Sequence, residues 1–183
     1  SPLGAEDMKN LKEFLNWKEE EFTVPSEVRE HMANLVALGE ENERQWEEKW
    51  EAYKNEYPEL AKELEAWLNL EIPMDYLDSE EFLQFDKNYS TREASGVVIN
   101  RLAERIPNLM GGSADLAPSN KTNMNNREVF SKENYKGSNI HFGIREHAMA
   151  AILNGMALHG GLRVYGGTFL IFSDYMKHGM RLS

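Results

Sequence analysis

NIHFGIREHAM, residues 139–149, passes from one kind of local structure to another at its glycine. Asn139 to Gly143 reads as a short strand, and the small-residue run from Ile144 to His159 reads as the helix that follows it. The same grammar extends both ways. Upstream, Thr91 to Ile106 predicts a helix with Ser90 or Thr91 as cap and Pro107 beyond its end, and Asn108 to Gly112 predicts a strand. Downstream, Leu162 to Phe169 predicts a third strand and Ser173 onward a further helix. Strands alternating with helices imply parallel βαβ units, hence an α/β fold with an open parallel sheet. Three strands make an incomplete sheet of this kind, so the domain is expected to continue beyond Ser183.

The first half of the chain follows a different pattern. Met8 to Leu15 predicts a short amphipathic helix, and Val24-Pro25-Ser26-Glu27 a helix start, since proline is tolerated in a first turn and acids favour its positive end. Val28, Met32, Leu35 and Leu38 then recur at helical spacing as far as Gly39. A second helix carries Trp46, Trp50, Tyr53 and Tyr57 on one stripe, at steps of four, three and four, and Pro58 interrupts it. Leu60, Leu64, Trp67 and Leu68 continue a third segment to Pro73. The aromatic stripe is expected to pack against a larger body, and residues 1–89 together read as a helical arm between domains.

Composition bounds what the chain does. Its 183 residues, 41% of them hydrophobic, suit one ordinary domain and little more. With no cysteine, neither a disulfide framework nor a thiolate metal site is available, which fits a cytoplasmic setting. The longest stretch without a formal charge, Ala148 to Leu162, is shorter than the ~20 apolar residues a bilayer span needs, so no membrane partner is expected. No secretory leader is expected either, because acidic residues follow directly on Ser1-Pro2-Leu3-Gly4. The chain lacks an initiator methionine and reads as a piece of something longer. The net charge of −11 argues against nucleic acid. That charge is uneven. Residues 1–90 hold 24 of the 31 acidic and nine of the 20 basic residues, leaving residues 91–183 with a surplus of four basic ones. Only the second part suits an anionic small molecule.

In open α/β sheets ligands bind beyond the carboxyl ends of the strands. That rule singles out Gly111-Gly112-Ser113-Ala114-Asp115, Gly143-Ile144-Arg145-Glu146-His147 and Gly166-Gly167-Thr168-Phe169. The runs that contain them, GGSADLAPSN at 111–120, NIHFGIREHAM at 139–149 and YGGTFLIFSDY at 165–175, are similar in sequence and order to the pyrimidine-binding domain of transketolases. STREAS at 90–95 and SPLGAED at 1–7 also resemble segments of that family. The likeness is dense over 90–183 and loose over 1–89. It implies an incomplete, thiamine diphosphate-binding parallel-sheet domain over residues 90–183, preceded by a helical arm over 1–89.

The resemblance also implies roles. The residue matching Glu146 hydrogen-bonds a ring nitrogen of the cofactor's aminopyrimidine and promotes the tautomer that takes the thiazolium proton, after which a two-carbon ketol unit passes from a ketose to an aldose phosphate. Taken without the family, Glu146 reads first as a helix-start acid favoured by the dipole, and it is the motif match that reverses this. Phe169, Phe172 and Tyr175 match residues that wall the pyrimidine pocket, with Phe172 placed to stack on the ring; core packing is the other reading, most of all for Tyr175. Asp115 matches an Asp near the cofactor, although a turn-capping role fits as well. Arg92 and Ser119 match residues that bind the substrate's phosphate, for which a planar guanidinium and a hydroxyl are suited; otherwise they are a surface helix residue and a loop cap. His141, His147 and His159 follow no metal-ligand spacing, and no residue here is expected to bind metal. The Mg²⁺ of these enzymes belongs with the diphosphate, on a domain expected to be absent from this chain. The partners implied are sugar phosphates of the pentose phosphate pathway and a second subunit, the active site lying at a homodimer interface. Dihydroxyacetone synthase or another thiamine diphosphate-dependent enzyme, and a scaffold that has lost catalysis, are the alternatives.

Overall fold

A computed structural model describes residues 2–72 and 74–183, so that Pro73, where the third helical segment is expected to end, lies outside the described residues. The chain forms two compact units, residues 1–58 and 59–183.

The first unit contains two helices, α1 (Ala5–Phe14) and α2 (Ser26–Glu56). Where the sequence suggests a break at Gly39, α2 runs straight through it for 31 residues. A single glycine costs a helix about 1 kcal/mol. Pairs one turn apart offset part of that: Arg44 bonds Glu41 at 2.6 Å and also pairs with Glu48, and Gln45 donates to Glu41 at 2.6 Å. The aromatic stripe forms as expected. Centroid separations of 6.1 Å for Trp46–Trp50, 5.7 Å for Trp50–Tyr53 and 5.3 Å for Tyr53–Tyr57 make one ladder of rings along the helix. None of the described residues of α2 is buried within the unit.

The second unit begins with α3 (Pro58–Leu68) and two one-turn helices, α4 (Met74–Leu77) and α5 (Glu80–Leu83), which the sequence did not signal. Then follow α6 (Thr91–Arg105), β1 (Leu109–Ser113), the short α7 (Ala117–Asn120), β2 (Asn139–His141), α8 (Glu146–His159) and β3 (Arg163–Gly167). The predicted last helix is split: Leu170–Met176 is a 3-10 helix, and α9 begins only at Lys177 and ends at Leu182. The strands form one parallel sheet in the order β2-β1-β3, with Gly111 opposite both Asn139 and Tyr165.

Local chemistry sets these boundaries. Ser90 caps α6 in a reciprocal box, its hydroxyl accepting from the Glu93 amide while the Glu93 carboxylate accepts from the Ser90 amide. That bonding holds the Glu93 carboxyl below its ordinary pKa. At the other end Arg127 donates to the carbonyls of Ala103 and Pro107 at 2.9 and 3.2 Å, satisfying acceptors the helix leaves free. The central strand is covered on both sides. Ile106, Leu109 and Met124 cluster with Ile99, Leu102 and Ala103 of α6, while Ala114, Phe142 and Met149 cluster with Leu153 of α8. Close backbone approach requires glycine in β1, because a Cβ on Gly112 would lie 1.9 Å from the Ile140 carbonyl oxygen.

Residues 121–138 are the long connection from α7 to β2, and two asparagines, Asn139 buried and Asn100 half-buried, tie it down. The Asn139 amide group donates to the carbonyls of Met124 (2.9 Å) and Arg127 (2.8 Å) and accepts from the Met124 amide (2.9 Å). Asn100 does the same from α6, donating to Asn123 O and accepting from the Asn125 amide. No helix among the described residues is long and apolar enough to cross a membrane.

Candidate functional site

The carboxyl ends of all three strands are drawn together by backbone chemistry. β2 ends at His141, and Gly143 turns the chain with a φ of +69°, a conformation that glycine adopts without the steric cost of a side chain. Arg145 then fixes the turn, its amide donating to Gly143 O at 2.8 Å and its guanidinium to Phe142 O at 2.9 Å. Glu146 therefore occupies the first position of α8, at the positive end of the helix. It is only 9% exposed, and its carboxylate has no hydrogen-bond or ion-pair partner among the described residues. Its side chain lines the cleft beyond the strand ends, where a ligand can supply the partner that the protein does not.

At the end of β1, Ser113 is 2% exposed. Its hydroxyl donates to the carbonyls of Asp115 and Gly167 (3.1 Å to the latter) and accepts from Asn120 at 2.6 Å. With Ala114 N bonded to Gly167 O at 3.0 Å, this joins β1 and β3 at the mouth of the site. Asp115 and Leu116 follow with φ of +62° and +50°. Consecutive left-handed residues without glycine store strain, which persists where surrounding contacts over-determine it. The bonds from Ser113 and Asn120 to Asp115 O supply that constraint.

Between these ends lies a cleft of about 450 Å³, lined among others by Asp115, Leu116, Glu146, Thr168, Phe169, Phe172 and Tyr175. Phe169 and Phe172 have centroids 6.2 Å apart and planes 19° from parallel, and Tyr175 lies 6.5 Å beyond Phe172. The 3-10 turn is what brings residues three apart onto one side, because its three-residue period eclipses them. One wall of the cleft is thus a row of aromatic faces, and the opposite floor carries a free carboxylate. Such a cavity accepts a flat heteroaromatic ring with a polar edge.

The fold thus brings Asp115, Glu146, Phe169, Phe172 and Tyr175 together around one cavity. Arg92 and Ser119 do not line it. Both are exposed, Arg92 on the first turn of α6 and Ser119 in α7, and the segments carrying them meet where Gly96 touches Lys121. His141 lines a smaller neighbouring cleft of about 380 Å³ that shares Asp115 and Leu116 as its wall. His147 faces His178 with centroids 5.9 Å apart, and among the described residues no group of three acidic, histidine or cysteine side chains could hold a metal. Ser113, Asn120 and Thr168 are contributors that sequence reasoning passed over. All three stand in the quoted motifs, but what Ser113 and Asn120 do is visible only when β3 is beside β1.

Residues 87–183 match the family model described as transketolase, pyrimidine binding domain, and residues 1–73 match that of transketolase, thiamine diphosphate binding domain. Among curated proteins, the transketolase of Bacillus subtilis is 49% identical over 185 residues, and that of Aquifex aeolicus 43% identical over 180. The first alignment covers all of this chain and 28% of the relative; the second covers 98% and 26%. Among solved structures, transketolase from Pichia stipitis in complex with sedoheptulose-7-phosphate is similar with a TM-score of 0.86 at 37% identity, covering the whole chain and 28% of that protein. Transketolase from Campylobacter jejuni is similar with a TM-score of 0.82 at 36% identity, covering 100% and 27%. The chain thus spans little more than a quarter of the length of these relatives.

Proposed function

Because the chain belongs to the transketolase family, we propose that it supplies the aminopyrimidine half of a thiamine diphosphate site in an enzyme that transfers a two-carbon ketol unit from a ketose phosphate to an aldose phosphate. The observation that carries this reading is Glu146, a largely buried residue whose carboxylate has no protein partner and lines a cleft walled by stacked rings. The residues present fit the cofactor. An aminopyrimidine is flat, apolar on its faces and polar at its edge, and the cleft offers phenyl faces to the one and a carboxylate to the other. When bound, thiamine diphosphate supplies the carbon nucleophile that the side chains of the protein lack.

Glu146 holds a proton at the ring nitrogen nearest it, and its position at the start of α8 fixes that contact without a flexible loop. Phe172, with Phe169 beside it, orients the ring plane and keeps water from its faces; Tyr175 closes the outer end. Asp115 places a second carboxylate at the rim, held there by the left-handed pair. Arg92 and Ser119 receive the substrate's phosphate on the outside of the same strand ends, Arg92 offering a planar fork of donors. The diphosphate and its Mg²⁺ are assigned to the thiamine diphosphate-binding domain and not to any residue of this cleft. We divide the chain into a helical arm over 1–89, whose residues 1–73 match part of the thiamine diphosphate binding domain model, and the pyrimidine domain over 90–183. The cleft is completed by a second subunit, so the active form is a homodimer working in the cytoplasm on the sugar phosphates of the pentose phosphate pathway.

The test is Glu146→Gln in the full-length polypeptide that carries this chain, with ketol transfer followed at saturating thiamine diphosphate and Mg²⁺. Turnover should fall by roughly 10²- to 10⁴-fold, the range of a lost proton-transfer group. Turnover near that of the parent protein would refute the role given to Glu146.

A further inference from the structure

Of the six non-glycine residues with positive φ among the described residues, three fall within 115–121: Asp115 (+62°), Leu116 (+50°) and Lys121 (+58°). Among the described residues only Asp115 and Leu116 form an adjacent pair of this kind, and both line the Glu146 cleft. Side chains disfavour the left-handed conformation, so the pair relaxes unless something holds it. Asn120 grips both members. Its backbone amide donates to Leu116 O at 2.8 Å, and its side-chain amide donates to Asp115 O at 3.2 Å and to Ser113 Oγ at 2.6 Å. Ser113 Oγ in turn donates to Asp115 O and to Gly167 O of β3. A backbone carbonyl only accepts, so the amide nitrogen of Asn120 must face Asp115 O, and both of its hydrogens are committed to the turn. Asp115 itself is exposed at the rim, so its backbone is what fixes where the carboxylate stands.

We propose that Asn120 is a positioning residue for Asp115: by holding the left-handed turn it keeps the carboxylate at the rim of the cleft, where that charge helps to retain thiamine diphosphate. The inference rests on the reading of the cleft as the pyrimidine site. The cofactor's second ring is a cationic thiazolium, and a carboxylate held near it favours binding. Without Asn120 the turn relaxes and the carboxylate is no longer held in one place. Asn120 also lines the cleft, and a double-mutant cycle separates action through Asp115 from direct contact with the cofactor. Asparagine at position 115 keeps the shape of the side chain and its tolerance of left-handed backbone, and removes only the charge.

The experiment compares Asp115→Asn, Asn120→Ala and the double variant with the parent in the full-length polypeptide, measuring thiamine diphosphate affinity in the presence of Mg²⁺ and the melting temperature of the cofactor-free protein. Asp115→Asn should bind roughly tenfold more weakly than the parent, and Asn120→Ala roughly fivefold. In the Asp115→Asn background, Asn120→Ala should change affinity by less than about twofold, since the charge it positions is gone. The cofactor-free Asn120→Ala protein should melt within about 5 °C of the parent, because the lost hydrogen bonds and the released backbone strain oppose each other. Unchanged affinity in Asn120→Ala overturns the proposal, and so does an equal loss in both backgrounds, which would mark a direct contact. A larger fall in melting temperature also overturns it, marking a structural role. If Asp115→Asn weakens binding while Asn120→Ala does not, only this inference fails. If Asp115→Asn binds and Glu146→Gln turns over as the parent does, the reading of the cleft fails with it.

Discussion

Asn139 gives a sharp test of what holds the site in place. Its side chain is 5% exposed and makes three hydrogen bonds, at 2.8 to 2.9 Å, to the backbone of Met124 and Arg127. Replacing it with alanine leaves the buried Met124 amide and the part-buried Arg127 carbonyl without a partner and removes one of the two bonds to the Met124 carbonyl, the other coming from Arg127 N at 3.2 Å. With each net bond contributing about 1 kcal/mol, and a stranded donor costing more, the loss is about 3 kcal/mol. For a chain of this length that is a drop in Tm of about 6–12 °C. Asn139→Asp should be worse at neutral pH, because a buried carboxylate then faces two carbonyl oxygens where an amide had donated. That penalty favours the protonated acid in the folded state and so raises its pKa there; the variant should recover stability as pH falls and lose it as pH rises through that value. The assay is thermal unfolding by circular dichroism of the chain and both variants at neutral pH and near pH 4, with amide exchange at Met124 as the local probe. Equal melting of parent, alanine and aspartate variants at neutral pH would show that the loop is not held through Asn139.

Other outcomes follow from the same contacts. Burial pushes the Tyr165 phenol up to about 12, so between pH ~10 and ~12 the unfolded chain loses a proton that the folded chain keeps, and stability should fall as pH rises through that window. Tyr165→Phe should flatten that part of a stability-against-pH curve, while losing about 1 kcal/mol at neutral pH with the bond to Thr122 O. Gly39 is helical with nothing within 4 Å of an added Cβ, so Gly39→Ala should stabilise α2 by up to about 1 kcal/mol. A higher denaturation midpoint followed by helical circular dichroism would bear this out, and a lower one would mean that the break read from the sequence has a function.

What could be read from the sequence was what local rules govern. The change of period at Gly143, the cap at Ser90 and the glycines at the strand ends were enough to place three parallel strands and the helices α6 and α8 within two residues. The motifs containing Glu146 and the aromatic trio were enough to nominate the cleft. Where the expectation missed, local terms finer than propensity decided. Gly39 reads as a helix end because its propensity is poor, but flanking side-chain pairs carry α2 across it. The start of the last helix was predicted too early because Leu170–Met176 is wound as a 3-10 turn, and that tighter winding lines up Phe169, Phe172 and Tyr175.

The tertiary structure alone decided which polar groups are satisfied. Ser113 and Asn120 in sequence are ordinary loop residues; beside β3 they become the tie that holds Asp115 in a left-handed conformation. Thr168 in sequence is one hydroxyl among many, and only the packing around it leaves its oxygen buried without a partner among the described residues. The physical reason is that propensity and periodicity act over a few neighbouring residues, whereas desolvation and hydrogen-bond pairing depend on atoms that the chain brings together from up to 93 positions away.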